Sequence, residues 1–142
     1  MFASLSLQLS FRPDLNVFTC RWLTASELAT TPVEYEALLH APDAPRTPRW
    51  LFDVRRRPTT DATAARWVTT DWLPRAAGLV RPARLSLAFL VPPARAEHLR
   101  AEADLRAVME AAYAPGHAFS LRTFTDEGEA MRWLLAQPDK EA

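Results

Sequence analysis

Glycine is scarce in this chain of 142 residues, and its scarcity excludes a class of site. The three glycines, at positions 78, 116 and 128, lie far apart. A phosphate-binding loop needs glycines clustered between a strand and a helix, because the backbone must approach the phosphate closely. The sequence therefore contains neither a dinucleotide-binding fingerprint nor a P-loop.

Cysteine is scarcer still. The single cysteine, Cys20, excludes an internal disulfide and a zinc site built from cysteines. The histidines His40, His98 and His117 do not have the spacing of metal ligands. We therefore expect no metal site and no cofactor. Cys20 falls on the inward side of a predicted strand, which predicts an inert core thiol.

An excess of charge and a long apolar run are also lacking. The 17 basic and 17 acidic residues cancel, so no overall charge attracts nucleic acid or anionic lipid. Lys140 is the only lysine, so arginine by itself is not a phosphate-binding signal here. No apolar run approaches the roughly 18 residues of a membrane span, and the amino terminus lacks the basic start of a signal peptide. We expect a cytoplasmic protein that binds no nucleic acid and does not insert into membranes.

The chain does contain alternating strand and helix patterns. Its length and its 49% of hydrophobic residues predict one globular domain over residues 1–142. Alternating or continuous apolar patterns predict strands at 5–11, 17–23, 50–54, 84–91 and 119–124. Apolar residues at helical spacing predict helices after the capping residues Thr31, Thr60 and Thr125, and one long helix over 94–113.

The order of these patterns predicts an α/β fold. The short connection at Arg12–Pro13–Asp14 makes the first two strands an antiparallel hairpin. The alternation of strands with helices makes the later strands parallel, and right-handed crossovers between neighbouring strands put their helices on one face. Most strands keep one polar side, which favours a mixed sheet of about five strands with helices mainly on one face. Segment 50–54 is the exception, because it is apolar on both sides except at Asp53.

The candidate binding site follows that buried strand. Asp53 ends it, and Arg55, Arg56 and Arg57 come directly afterwards. Ligands of open α/β sheets bind at the carboxyl ends of the strands, and arginines near a helix start favour an anion. We expect a polar ligand or anion here. The alternative is a salt-bridged acid that closes the strand, followed by a solvated loop.

The tryptophans provide a second candidate surface. Trp67 and Trp72 are five positions apart, which is about 140° around an α-helix. They do not share a narrow stripe at that spacing, so one is expected in the core and the other partly exposed at a partner interface. The alternative is a broad buried face that holds both.

The order of elements and several marker residues resemble the SpoIIAA-like fold of the STAS and SEC14-type domain proteins of bacteria. The markers are Trp22, Leu51–Phe52–Asp53–Val54–Arg55, Arg66–Trp67, Trp72–Leu73–Pro74, Thr123–Phe124–Thr125–Asp126–Glu127–Gly128–Glu129–Ala130 and Trp133–Leu134. The resemblance covers most of the chain. It implies non-enzymatic work, either protein–protein regulation or, in some branches, binding of nucleotides or lipids.

One position departs from that family. Its anti-sigma-factor antagonists carry a phosphorylatable serine where the helix begins after the strand that ends in Asp. This chain has Arg55–Arg56–Arg57–Pro58–Thr59–Thr60–Asp61 there and no serine. Thr59 and Thr60 are the available substitutes. The chain is also short for a SEC14 lipid pocket with its gating helix.

We predict a non-enzymatic, STAS-like protein-interaction or regulatory module with a protein partner. The alternative is a small-molecule or anion binding protein, for a nucleotide, phosphate or lipid, that uses Asp53, the arginines 55–57, Thr59 and Thr60. An edge hairpin with short polar outward residues and an uncovered sheet face further predict a homodimer through the first strand or the Trp67–Trp72 helix. The competing outcome is that the carboxy-terminal residues or a loop cover the open face within one chain.

Overall fold

The computed structural model of the chain describes residues 7–23, 31–57 and 61–138. Its strands are Leu7–Arg12 (β1), Val17–Trp22 (β2), Arg49–Asp53 (β3), Leu85–Leu90 (β4) and Phe119–Phe124 (β5). They form one sheet in the order β1-β2-β3-β4-β5. The β1–β2 pair is antiparallel and the later pairs are parallel. The predicted α/β fold, with its opening hairpin and mixed sheet, is confirmed.

The helices follow the strands in the expected alternation. They are Thr31–Leu38 (α1), Ala62–Trp67 (α2), Leu73–Gly78 (α3), Pro93–Ala101 (α4), Ala103–Tyr113 (α5) and Glu127–Leu135 (α6), with a π-helical segment at Val68–Trp72 and a short 3₁₀ turn at Ala44–Arg46. Within the described ranges, no helix combines the length and apolar character that crossing a membrane requires.

Helices α1 to α5 lie on one side of the sheet, which we call the first face. Their apolar residues join Phe18, Trp50, Phe52 and Leu87 of the strands in one large core. Successive right-handed crossovers between neighbouring parallel strands place their helices on the same side. The prediction that helices lie mainly on one face is therefore confirmed.

Helix α6 alone packs on the opposite side, the second face. It lies over β3, β4 and β5, where Ala130 and Leu134 contact a smaller core that includes Leu51, Ala88 and Leu90. Strand β3 is apolar on both sides because Leu51 faces α6 while its neighbours face the large core. The expectation of an uncovered second face is wrong over these three strands, since the carboxy-terminal helix covers them.

An aromatic cluster fills the centre of the first face. The ring centroid of Tyr35 lies 4.9 Å from that of Trp72 and 5.6 Å from that of Trp22. The rings of Phe52 and Trp72 are 5.7 Å apart. Trp72 Nε1 donates a hydrogen bond to the Tyr35 carbonyl at 2.7 Å. Aromatic residues bury much area and favour such edge contacts, so this cluster ties α1 to β3 and to the π-helical segment.

The π-helical segment changes the relation between the two tryptophans. Its i→i+5 hydrogen bonds widen the turn, so the 140° spacing of a regular α-helix does not apply. Trp67 and Trp72 both contact Tyr35, with ring centroids 6.3 Å and 4.9 Å away. The two side chains therefore approach one aromatic ring from the same helical region.

Acidic side chains cap α2 and α6, for which Thr60 and Thr125 were predicted as caps. Asp61 accepts a hydrogen bond from the Ala64 amide at 2.8 Å, and Asp126 accepts one from the Glu129 amide at 2.9 Å. Asp61 is the N-cap of α2, and Asp126 is the N-cap of α6 in place of the predicted Thr125. A carboxylate also interacts favourably with the positive end of a helix.

The helix predicted over 94–113 is divided at Glu102. This residue has extended backbone angles of φ −84° and ψ 119°. Its carboxylate accepts hydrogen bonds from the amides of Asp104 and Leu105 at 3.2 and 2.8 Å. Periodicity alone did not reveal the break because a glutamate at this position is equally compatible with a continuous helix.

Candidate functional site

Asp53 lies at the carboxyl end of β3 on the second face, and its side chain is only 9% exposed. Arg55 donates two hydrogen bonds to its carboxylate, from Nε to Oδ1 at 2.9 Å and from Nη2 to Oδ2 at 2.8 Å. Arg21, its register partner on β2, donates from Nη1 to Oδ2 at 2.8 Å. Both carboxylate oxygens of Asp53 are thus occupied by arginine.

Glu127, the first residue of α6, completes this group. Arg21 donates to both of its oxygens, from Nη1 to Oε1 at 3.0 Å and from Nη2 to Oε2 at 2.6 Å. Arg55 Nη2 also reaches Oε1, at 3.4 Å. We call these four residues, Arg21, Asp53, Arg55 and Glu127, the ion cluster. Its two positive and two negative charges balance.

Sequence reasoning did not single out Arg21 or Glu127 as site residues. Arg21 is on the polar side of β2, but only the parallel register with β3 places it opposite Asp53. Glu127 reaches the cluster because α6 returns across the second face. The one available signal was the pattern of β2, which put Arg21 on the outward side of its strand.

Protonation equilibria in the ion cluster follow from these contacts. Burial alone raises the pKa of Asp53, but hydrogen bonds from Arg55 and Arg21 outweigh it and the pKa lies below its usual value. The hydrogen bond from Arg21 likewise lowers the pKa of Glu127. Both carboxylates are therefore held ionised at neutral pH with their oxygens engaged. This arrangement matches the alternative interpretation of Asp53 as a salt-bridged acid.

The three consecutive arginines point to different places. Arg55 joins the ion cluster, whereas exposed Arg56 donates to the Leu23 carbonyl at 3.0 Å. Arg57 turns to the first face, where its guanidinium pairs with Glu34 and lies 5.1 Å from the centroid of the Trp22 ring. They do not converge on one anion. Thr59 and Thr60 lie outside the described residues, so their proposed role stays a prediction.

Arg57 is the member of this run that lines a cavity. The cavity has a volume of about 80 Å³ and lies on the first face, at the carboxyl ends of β3, β4 and β5 beneath α2, α4 and α5. Its wall is largely apolar and includes Val54, Val68, Phe89, Val91, Leu99 and Met109. Small-molecule sites typically combine such walls with a few polar groups.

A second arginine, Arg95, lines the same cavity. It is only 7% exposed, and its Nη2 donates to the Arg57 carbonyl at 2.9 Å. Burial lowers the pKa of Arg95. The neighbouring Tyr35 raises this pKa, whereas the positive charge of Arg57 lowers it further. Sequence reasoning missed this residue, although its place four positions before Leu99 puts it on the apolar side of α4.

The two tryptophans of the predicted interface differ in exposure. Trp72 is fully buried, so it belongs to the core and does not fit the predicted contact surface. Trp67 is partly exposed at the rim of the aromatic cluster. An interface at Trp67 stays a prediction.

Cys20 lies in the core, as predicted, with no exposed surface. Burial raises the pKa of its thiol well above the usual value, which disfavours the reactive thiolate. Across residues 7–23, 31–57 and 61–138, no group of three or more histidine, cysteine or acidic side chains is arranged to hold a metal ion.

Comparison of the chain with protein families, with curated proteins and with solved structures finds no match. The resemblance to the SpoIIAA-like fold therefore stays a prediction, carried by the element order and the marker residues alone.

Proposed function

We propose that this chain is a non-enzymatic, STAS-like interaction module that acts by binding another protein. The observation that carries the proposal is the position of Trp67. Its ring centroid lies 6.3 Å from that of Tyr35 in a T-shaped contact, while part of the side chain remains exposed. A tryptophan held by a buried neighbour and open on its other side is a typical anchor of protein interfaces.

Exposed side chains of α1, α3 and the π-helical segment also support a contact surface. Val33, on α1, is 71% exposed, which is high for an apolar side chain. Arg75 of α3 forms ion pairs with Glu36 of α1 and with Asp71 of the π-helical segment. Interfaces combine apolar groups with exposed charged groups, and these helices carry both.

The ion cluster supports a non-enzymatic role. Asp53 stands where an α/β enzyme commonly places its chemistry, at the carboxyl end of a strand. Its oxygens accept hydrogen bonds from Arg21 and Arg55, and its pKa lies below the usual value. A general base needs a pKa closer to the operating pH. The cluster is better suited to fixing β2, β3 and α6 together.

Affinity capture from the source organism tests the proposal with two matched variants. Trp67→Ala removes the proposed anchor. Trp133→Ala removes another partly exposed tryptophan, which packs on Phe124 at 5.8 Å on the second face. We expect the wild-type chain and Trp133→Ala to retain the same partner in stoichiometric amount, and Trp67→Ala to lose it.

Two results would contradict the interaction module. Equal retention of the partner by all three proteins would show that Trp67 is not the anchor. Turnover of a specific metabolite by the purified chain, with no macromolecular partner retained, would replace the module with an enzyme. A second copy of the chain is one permitted partner, and light scattering identifies it.

A second candidate function, binding of a small anion, is favoured by a separate observation. Arg57 and Arg95 both line the apolar cavity on the first face. The predicted anion site at Asp53 and Arg55 receives no such support, because those side chains satisfy one another. Dose-dependent thermal stabilisation by small anions, lost in Arg57→Met, tests this function.

A further inference from the structure

We infer that the cavity beneath α2, α4 and α5 binds a short aliphatic monocarboxylate, with its carboxylate on Arg57 and Arg95 and its chain against the apolar wall. The inference rests on the second of the two proposed functions and names the ligand class. It places the ligand on the first face, away from the ion cluster.

The charge of the lining residues favours an anion. Among the described residues that line the cavity, the charged side chains are Arg57 and Arg95, and both are positive. Burial of a cation costs free energy, and a neighbouring cation adds to that cost. The lowered pKa of Arg95 reflects these two effects, burial first. A bound anion would offset the free-energy cost of burying the cation and the repulsion from the neighbouring cation.

The guanidinium groups are already positioned for a ligand. Arg57 is held by its ion pair with Glu34 and by the face of the Trp22 ring. Arg95 is held through its hydrogen bond to the Arg57 carbonyl. Each guanidinium presents its five N–H donors in a planar fork, which is the geometry that a carboxylate accepts. Ordering these side chains before binding reduces the entropy cost of association.

The wall and the volume select the ligand. A group of the size of a water molecule needs roughly 10–15 Å³ of cavity volume. The cavity of about 80 Å³ therefore holds roughly five to eight non-hydrogen atoms. A carboxylate with a chain of about three to five carbons has this size. Its planar head matches the guanidinium fork, whereas a phosphate dianion would need more donors than an apolar wall supplies.

Calorimetric titration of the full chain with sodium pentanoate tests the inference directly. The two reference ligands are 1-pentanol, which keeps the aliphatic chain without the charge, and inorganic phosphate, which keeps the charge without the chain. We expect pentanoate to bind at least tenfold more tightly than either reference ligand.

Three variants locate the site. Arg95→Met removes one cation and is expected to weaken pentanoate binding at least tenfold. Val68→Phe keeps both arginines but fills the cavity, and it is expected to abolish binding. Arg100→Met is the matched control, because Arg100 lies on the same helix but has a 68% exposed side chain; it should bind like the wild type. Circular dichroism establishes which variants fold. If Arg95→Met does not fold, the result for Val68→Phe tests the location of the site.

The outcomes separate the inference from the function on which it rests. Equal binding of pentanoate and 1-pentanol would overturn the role of the arginines. Binding of phosphate alone, lost in Arg57→Met, would overturn the ligand class and keep the small-anion function. Absence of binding by every anion would overturn both. Unchanged pentanoate binding by Val68→Phe would overturn the location.

Discussion

Arg21 and Asp53 stand directly opposite each other on the parallel strands β2 and β3, and Arg21 Nη1 donates to Asp53 Oδ2 at 2.8 Å. Both side chains lie on the second face at the point where the strands end. Glu127 of α6 is joined to the same guanidinium at 2.6 Å. The pair therefore connects two strand ends to the helix that covers that face, which gives the strand-end acid a structural role.

Replacing Asp53 should destabilise the fold. Asp53→Asn keeps the size of the side chain but removes the charge shared by Arg21 and Arg55. We expect the free energy of unfolding at pH 7 to fall by about 1–3 kcal/mol, the usual cost of losing charged hydrogen bonds at a mostly buried group. Urea unfolding measures it. Glu97→Gln, in an exposed pair with Arg100, is the control and should change stability little.

The effect of Asp53→Asn should depend on pH in a defined direction. The pKa of Asp53 is lower in the folded chain than its usual value, so its contribution to stability is complete above the unfolded pKa of about 3.9. It is lost as pH falls through the lower folded pKa. We expect the stability difference between the wild type and the variant to stay constant from about pH 7 to 5 and to shrink below about pH 4. A difference that widens towards acid would contradict this assignment.

The two tryptophans near Tyr35 should differ in their contribution to stability. Trp72→Ala empties a fully buried site and removes the donor to the Tyr35 carbonyl, so we expect a loss of about 3–5 kcal/mol. Trp67→Ala removes a side chain that is already partly in water, and we expect less than half of that loss. Chemical denaturation of both variants gives the comparison. Equal losses would mean that Trp67 is as deeply packed as Trp72.

Cys20 should report global unfolding. As the only cysteine in the chain and fully buried, it should react with iodoacetamide only when the core opens. For a domain of ordinary stability, we expect alkylation in native buffer to be roughly a thousandfold or more slower than in denaturant. Mass spectrometry of timed samples measures the two rates. Rapid alkylation of the native chain would place the thiol in a locally opening region.

Self-association is expected to involve the edge strand β1. The strand is confirmed at the edge of the sheet, and Gln8 and Ser10 are exposed on it. Helix α6 covers the second face over β3, β4 and β5, so we place the twofold contact at the β1 edge or at Trp67. Light scattering at tens of micromolar should give twice the chain mass of 16.0 kDa.

Substitutions test that contact. Ser10→Lys should shift the chain towards monomer by placing a charge on the edge strand, and Ala107→Lys, at an exposed position of α5, should not. A wild-type chain that remains monomeric at these concentrations rules the dimer out.

The sequence by itself determined the order of the strands and the helical character of the segments between them. Period two in segments such as Val17–Trp22 and Phe119–Phe124 is a local property, because successive side chains of a strand point to opposite faces. The short turn after Arg12 likewise required the antiparallel hairpin. Asp53 at a strand end was also evident from the sequence, since an apolar run stops at that residue.

Only the tertiary structure decided what those residues do. The register of β2 on β3 places Arg21 against Asp53, and the return of α6 adds Glu127; both contacts join residues that are distant in the chain. The crossovers bring Arg57 and Arg95 to one cavity, although 38 positions separate them. Local patterns fix which side of an element a residue occupies. Which residue it meets there depends on how the elements pack, and the packing decided which charges form the ion cluster on the second face and which line the cavity on the first face.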